Sequence, residues 1–294
     1  MNELMKKTLT VTAVCVMGLI GIAQSAPLTN NLVFWADADD LDGDGVSEGA
    51  LESGLSGALV TTWVDKAPDR GVNTATQGTL VNQPLLVLGA LNGRPVVRFD
   101  GGDDFLQSTA FTTVLHQPTE MFIVWKADSV GGAGAIAVDG LTSANRQSIS
   151  YENVSGLGNS VGVFSGLAVP ANYYPFPFTK AIYMTAIFND LNNGPGAPDS
   201  SFRINGVDVK TDAPSGDWNM DGVTLGGRFD TFGGDRFSLD GYIGELLIYS
   251  SPLSASDRQA TEEYLIAKWA LPEPSATVFF AFGGILLWRR RHTK

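Results

Sequence analysis

The chain has 294 residues, a formal net charge of −12 and a pI near 4.5. Such a surface repels nucleic acid and anionic lipid at long range, and suits neutral ligands or divalent cations. Its one cysteine, Cys15, lies close to the N-terminus, so disulfides are excluded from the rest of the chain and the core must carry the stability.

The N-terminus reads as a leader. Lys6 and Lys7 precede an apolar region from about Leu9 to Ala23, and small residues come after it, with Ala23 and Ser25 well placed for cleavage. This is a secretory signal peptide pattern over residues 1–26, and it contains Cys15. From there to residue 270 no linker divides the chain, so one large domain is expected over residues 27–270. Short runs rich in Val, Ile, Phe, Tyr and Trp follow one another between Gly- and Asp-rich turns: NLVFWAD (31–37), VTTWVD (60–65), RPVVRFD from Arg94, EMFIVWKA (120–127), AIYMTAIFN (181–189), SFRINGVDVK (201–210) and YIGELLIYS (242–250). Asn205-Gly206 between apolar alternations predicts a hairpin. Many strands without βα alternation predict an all-β sandwich.

The acidic stretch DADDLDGDGVSEG (37–49) is the candidate metal loop. Asp40, Asp42, Asp44, the Val46 carbonyl and Glu48 fall at positions one, three, five, seven and nine of an EF-hand loop, and Gly45 permits the sharp turn a Ca²⁺ loop needs. The closing glutamate is absent, because Leu51 stands at the twelfth position. Asp100, Asp103 and Asp104 form a second cluster, read as turn chemistry. GGAGAIA (131–137) lacks the lysine of a phosphate loop and reads as a flexible hairpin. His116 is the only histidine before the tail, which leaves little basis for zinc or a Ser/His arrangement.

Carbohydrate recognition needs aromatics for stacking and polar groups for hydroxyls. Tyr173 and Tyr174 stand in PANYYPFPF (170–178), and Trp218 stands beside Asp217 and Asn219 in SGDWNMDG (215–222). These five residues are the candidate ligand contacts. The same aromatics are also suited to covering the sandwich core. A glycosidase needs paired carboxylates, and no Glu-x-Asp-x-Glu run occurs. Glu245 is a lone strand carboxylate, expected to be structural, and the chain is expected not to be an enzyme.

One helix is predicted at the end of the domain, in PLSASDRQATEEYLIAKW. Ser254 caps it, Asp257 lies early and Lys268 late, as the helix dipole prefers, and Leu265 and Trp269 share a face. The segment from Asp240 to Trp269 resembles the closing strand and helix of LamG-type concanavalin A-like domains, through Gly241, Ile243, Glu245, Ile248, Tyr249, Leu253, Ser254, Tyr264, Leu265, Lys268 and Trp269. LVFWADADD (32–40), TTWVDKA (61–67), GALNGRPVVRFDGGDDFL (89–106) and MFIVWKA (121–127) are similar to that group too. The resemblance implies a concanavalin A-like jelly-roll β-sandwich with one short C-terminal helix, a fold that hosts lectins, hydrolases, lyases and adhesion modules.

The chain closes with LPEPSATVFFAFGGILLWRRRHTK (271–294). The apolar run Ala276–Trp288 spans roughly 20 Å as a helix, short of the ~30 Å hydrocarbon core, and a basic cluster follows it. Pro272, Glu273 and Pro274, the apolar run, and Arg289, Arg290 and Arg291 together resemble a PEP-CTERM sorting signal. That resemblance implies a transient membrane segment, processing by an exosortase-type protease, and release to or display on the cell surface. The sequence therefore leads to an exported protein that recognises extracellular polysaccharide or a surface protein without catalysis, with Ca²⁺ supporting a loop. A polysaccharide hydrolase or lyase of the same fold and a structural matrix component are the alternatives.

Overall fold

The computed structural model describes residues 26–48, 56–68, 72–130, 134–190, 199–231 and 236–271. The sorting motif at Pro272–Pro274 and Arg289–Arg291 lies outside them, as does nearly all of the leader. In chain order the strands are β1 (Leu32–Asp37), β2 (Ala58–Leu59), β3 (Thr62–Trp63), β4 (Ala75–Thr76), β5 (Leu85–Leu91) and β6 (Arg94–Asp100). Then come β7 (Leu106–Gln107), β8 (Thr119–Ala127), β9 (Ala135–Asp139), β10 (Ser148–Val154), β11 (Gly158–Phe164) and β12 (Tyr173–Pro175). The last are β13 (Ile182–Phe188), β14 (Ser200–Ile204), β15 (Val207–Ala213), β16 (Thr224–Leu225) and β17 (Asp240–Tyr249), followed by helix α1 (Ala255–Trp269).

They form two antiparallel sheets, so the fold is an all-β sandwich of the expected jelly-roll kind with one short C-terminal helix. The first runs β15-β14-β13-β8-β17-β6-β5-β2, with β1 added beside the second half of β17. The second runs β12-β11-β10-β9-β16-β7-β4-β3. The predicted hairpin is present: Asn205 and Gly206 both adopt positive φ, 48° and 74°, which matches the twist of the flanking β14 and β15. The stretch expected as a flexible hairpin contributes β9, a strand in the interior of the second sheet between β10 and β16.

The core lies between the sheets. Trp125 from β8 and Tyr151 from β10 both meet the ring of Phe178 edge-on, with centroids 4.8 Å apart in each case. Phe176 adds a further edge contact to Phe178. Half of the PANYYPFPF aromatics therefore seal the sandwich.

A third layer is the helix. Ser254 accepts from the Asp257 backbone N–H (3.2 Å), as the cap requires, and the chain leaves the helix through a left-handed Ala270. Tyr264, Leu265 and Trp269 are buried against the outer face of the first sheet, and Gly244 of β17 lies directly beneath the Trp269 ring. Beneath the helix Glu262 accepts from Thr185 Oγ1 (2.9 Å), and Arg258 pairs with the fully buried Glu120.

Candidate functional site

Two regions collect the residues that the sequence singles out. The first is the acidic loop after β1. The Asp40, Asp42 and Asp44 carboxylates converge, with one oxygen of each within 4.8 Å of the others. The loop is closed by its own backbone. Asp42 accepts from Asp44 N–H (3.0 Å), Asp44 from Val46 N–H (2.7 Å), and both Asp40 oxygens from Gly45 N–H (3.2 Å). Gly45 sits at φ +89°, a conformation that L side chains rarely adopt. Glu48 is buried, and its Oε1 accepts from Leu41 N–H (2.9 Å). The three aspartates fit a hard cation, which prefers several oxygen donors. Lys66 already meets one of them, with its Nζ 2.6 Å from Asp40 and 2.7 Å from Asp37.

Lys66 leads into a cavity of about 450 Å³, lined by Trp35, Asp37, Asp40, Arg94, Tyr264 and Lys268 among others. Its floor is a closed charge network. Asp37 and Glu245 are cross-strand partners on β1 and β17. Lys268 bridges them, 2.6 Å from Asp37 and 3.0 Å from Glu245. Glu245 is fully buried and also accepts from Trp35 Nε1 (2.8 Å), Tyr264 OH (2.7 Å) and Trp269 Nε1 (2.6 Å). Burial pushes the Glu245 carboxyl up, and Lys268 opposes it. Burial works against Asp37 as well, yet Lys268 and Lys66 hold it below the usual range. Burial also disfavours the Lys268 charge, which Glu245 and Asp37 restore and raise above the ordinary lysine value. Both carboxylate oxygens of Glu245 have donors, so this residue ties the helix to the sheet.

At the second acidic cluster, Asp100 accepts from Gly102 N–H (2.7 Å) and Asp104 from Asp100 N–H (3.0 Å). These are turn bonds.

The second region is the outer face of the second sheet. The register Ser148↔Phe164, Ser150↔Gly162 and Glu152↔Ser160 puts these six side-chain positions on one face, and Tyr173 joins them opposite Gly162. Tyr173 is 7% exposed; its ring lies over Gly162, and its hydroxyl donates to Glu152 Oε1 (2.8 Å). Burial and the neighbouring Glu152 charge push the Tyr173 phenol up, so it stays a donor. Ser150 donates to the same carboxylate oxygen (2.8 Å). Tyr174 is exposed.

Two positions along β11, Phe164 meets Trp218 edge-on at 5.6 Å. The half-buried Trp218 lies against Gly166, and its backbone is held by Ser165 and by the Gln117 and Gln147 side chains. Asp217 is exposed, and Asn219 Oδ1 lies 3.1 Å from His116 Nδ1. The fold thus brings the two predicted aromatic loops to neighbouring positions on one strand, about 7 Å apart along it.

Sequence reasoning misses what lies between them: Phe164, Glu152, Arg146 and Asp139. Arg146 pairs with the buried Asp139 through Nε (3.0 Å). The alternation Ser148, Ser150, Glu152 around Ile149 and Tyr151 is the available signal, a strand with one polar face.

No protein-family model matches the chain, and no curated protein matches it in sequence. Solved structures do share its fold. An arabinofuranosidase complexed with arabinofuranosyl-α-1,2-xylobiose superposes with a TM-score of 0.50 at 16% identity, over 72% of this chain and 51% of that one. Domain 4 of a GH43 extracellular arabinanase from Geobacillus stearothermophilus, in complex with arabinotriose, gives 0.48 at 14% identity, over 80% and 98%. A Trypanosoma rangeli sialidase in complex with sialic acid gives 0.48 at 11%, over 83% and 34%. The chain spans about half the length of the arabinofuranosidase and a third of the sialidase. The arabinofuranosidase likeness agrees with the β-sandwich fold seen in the two sheets. The expectation that the chain is not an enzyme is corrected: an arabinofuranosidase shares the fold, so the fold does not exclude catalysis. The missing Glu-x-Asp-x-Glu run is no argument against catalysis, because a sandwich can assemble its carboxylates from different strands. Among the described residues no helix is long and apolar enough to cross a membrane.

Proposed function

We propose that this chain is a carbohydrate-directed protein that engages extracellular polysaccharide on the outer face of its second sheet. The observation that carries the reading is the placement of Tyr173 over Gly162 and of Trp218 against Phe164 along β11, beside the polar Glu152 and Arg146. Aromatic faces bordered by fixed hydrogen-bonding groups are what sugar rings require. Ca²⁺ on Asp40, Asp42 and Asp44 would stiffen the loop after β1. The leader and the PEP-CTERM-like tail support export, exosortase-type processing and a cell-surface location. The LamG-like closing segment supports a place in that domain group.

The test is a glycan array on the full chain, in Ca²⁺ and in EDTA. The expected result is saturable binding to a defined polysaccharide, lost in Trp218→Ala. Unchanged affinity in that variant would remove Trp218 from the site. A calorimetric titration with Ca²⁺ that stays flat, with no rise in melting temperature, would remove the metal.

Hydrolysis is the second reading, and Glu152 favours it. It is a half-buried carboxylate on the same face, and the hydrogen bonds from Ser150 and Tyr173 both fall on its Oε1. Release of reducing sugar from the bound polysaccharide, abolished in Glu152→Gln, would establish it. Binding without any product would refute it.

A further inference from the structure

The guanidinium of Arg146 is only half used by the protein. Its Nε–H donates to both oxygens of Asp139, at 3.0 and 3.1 Å. Asp139 is fully buried and immobilised, because it also accepts from Ser148 Oγ (2.6 Å), Gly140 N–H (3.0 Å) and Phe229 N–H (3.3 Å). Two phenyl rings flank the guanidinium: its central carbon is 4.9 Å from the Phe164 centroid and 5.4 Å from that of Phe229. The side chain is thus fixed in position and orientation. Its two terminal nitrogens, with four N–H donors, meet no acceptor among the described residues, although the residue is only 8% exposed. They are not enclosed: both keep contact with solvent, which a ligand group can replace. The edge formed by the two nitrogens matches the two oxygens of a carboxylate.

Two further arginines stand nearby. Arg228 also lies over the Phe229 ring, at 5.3 Å, and Arg236 donates to the Arg228 carbonyl oxygen (2.8 Å). Among the described residues, Asp139 is spent on Arg146 and Asp230 lies 2.8 Å from Arg228.

We infer that Arg146 sets the specificity of this face, gripping the carboxylate of a uronic acid residue in an acidic polysaccharide. The inference rests on the carbohydrate reading above and names its substrate class. The sugar ring would lie along Phe164 and Trp218, while its carboxylate takes the free guanidinium edge.

The experiment titrates the full chain with trisaccharides of galacturonate, mannuronate and glucuronate, each beside its carboxyl-reduced neutral counterpart. Neutral arabinan and xylan fragments are included. EDTA is present, so that Ca²⁺ bridging cannot supply the difference. The expected result is at least tenfold tighter binding of one uronate than of its reduced partner, a difference that Arg146→Lys abolishes. Should that variant fail to fold, the comparison on the unsubstituted chain decides alone. If every reduced sugar binds as well as its uronate, or only arabinan and xylan bind, the inference falls and the carbohydrate reading stands. If no glycan binds, both fall.

Discussion

Glu245 offers the sharpest test of how helix and sheet are joined. Glu245→Ala removes one fully buried carboxylate and strands four donors at once: Trp35 Nε1, Tyr264 OH, Trp269 Nε1 and one contact of Lys268. Lys268 keeps Asp37 at 2.6 Å, so its charge is not left alone. The three neutral donors lose the acceptor they share, and each orphaned buried group costs roughly 1–3 kcal/mol. Breaking a buried charge pair costs about 3–5 kcal/mol in comparable settings. The two figures describe the same loss, so the expected destabilisation is about 4 kcal/mol. For a domain of this size, each kcal/mol lowers the melting temperature by roughly 2–4 °C. A fall on the order of 10 °C is expected, read by thermal melts and checked by urea unfolding. Glu245→Gln keeps the size and one acceptor oxygen and falls between the two proteins. Trp35→Phe removes a single donor and costs far less. A shift below about 2 °C in Glu245→Ala, or a larger loss in Glu245→Gln than in Glu245→Ala, would refute the account of Glu245 as the hub.

Two further outcomes are expected from particular residues. Burial, with the nearby Asp100 charge, pushes Asp104 up to about 6 from its ordinary 3.8. The folded state therefore binds the extra proton between those values, and this contribution to stability is full below about pH 4 and lost as pH rises through 6. Asp104→Asn removes that loss; with solvent screening the gain is on the order of 1 kcal/mol at pH 8 relative to the unsubstituted protein, and nothing at pH 4. Equal pH slopes of the urea midpoints in the two proteins would contradict it. Gly162→Ala places a methyl 2.2 Å from Tyr173 Cδ1, so the ring must leave Gly162 and its hydroxyl must leave Glu152. The expected cost is about 1–3 kcal/mol, with weakened glycan binding; wild-type affinity would show that Tyr173 does not shape the site.

Legibility in the sequence follows chemistry. The first sheet is announced by long apolar strands, because β8 and β17 are buried on both faces, one against the sandwich core and one beneath the helix. The helix is announced by Ser254 and by the Leu265–Trp269 pair. The strands β9 to β12 are not. Their outer positions are Ser148, Ser150, Ser160, Gly162 and Glu152, which in isolation look like loop, and Tyr173 in β12 looks like part of one. Trp218 and Tyr173 are visible as aromatics, but their placement along one strand, β11, is a fact of topology. Arg146 lies in a stretch, LTSANRQS, with no motif at all; only its buried partner Asp139 and the rings of Phe164 and Phe229 give it a role.

The same layering gives the proposed ligand face its place. The outer face of the first sheet is closed by α1, whose Tyr264, Lys268 and Trp269 satisfy Glu245 and leave it no free oxygen. A sugar there would have to displace the helix. The described residues place no helix over the second sheet. Its outer face is polar, flanked by the loops that carry Trp218 and Phe229, and among the described residues it presents a fixed cation with unspent donors beside aromatic rings. Under the proposed reading, stability and recognition fall on opposite sides of one sandwich. For that reason Glu245 variants should shift melting far more than specificity, and Arg146 and Trp218 variants should do the reverse.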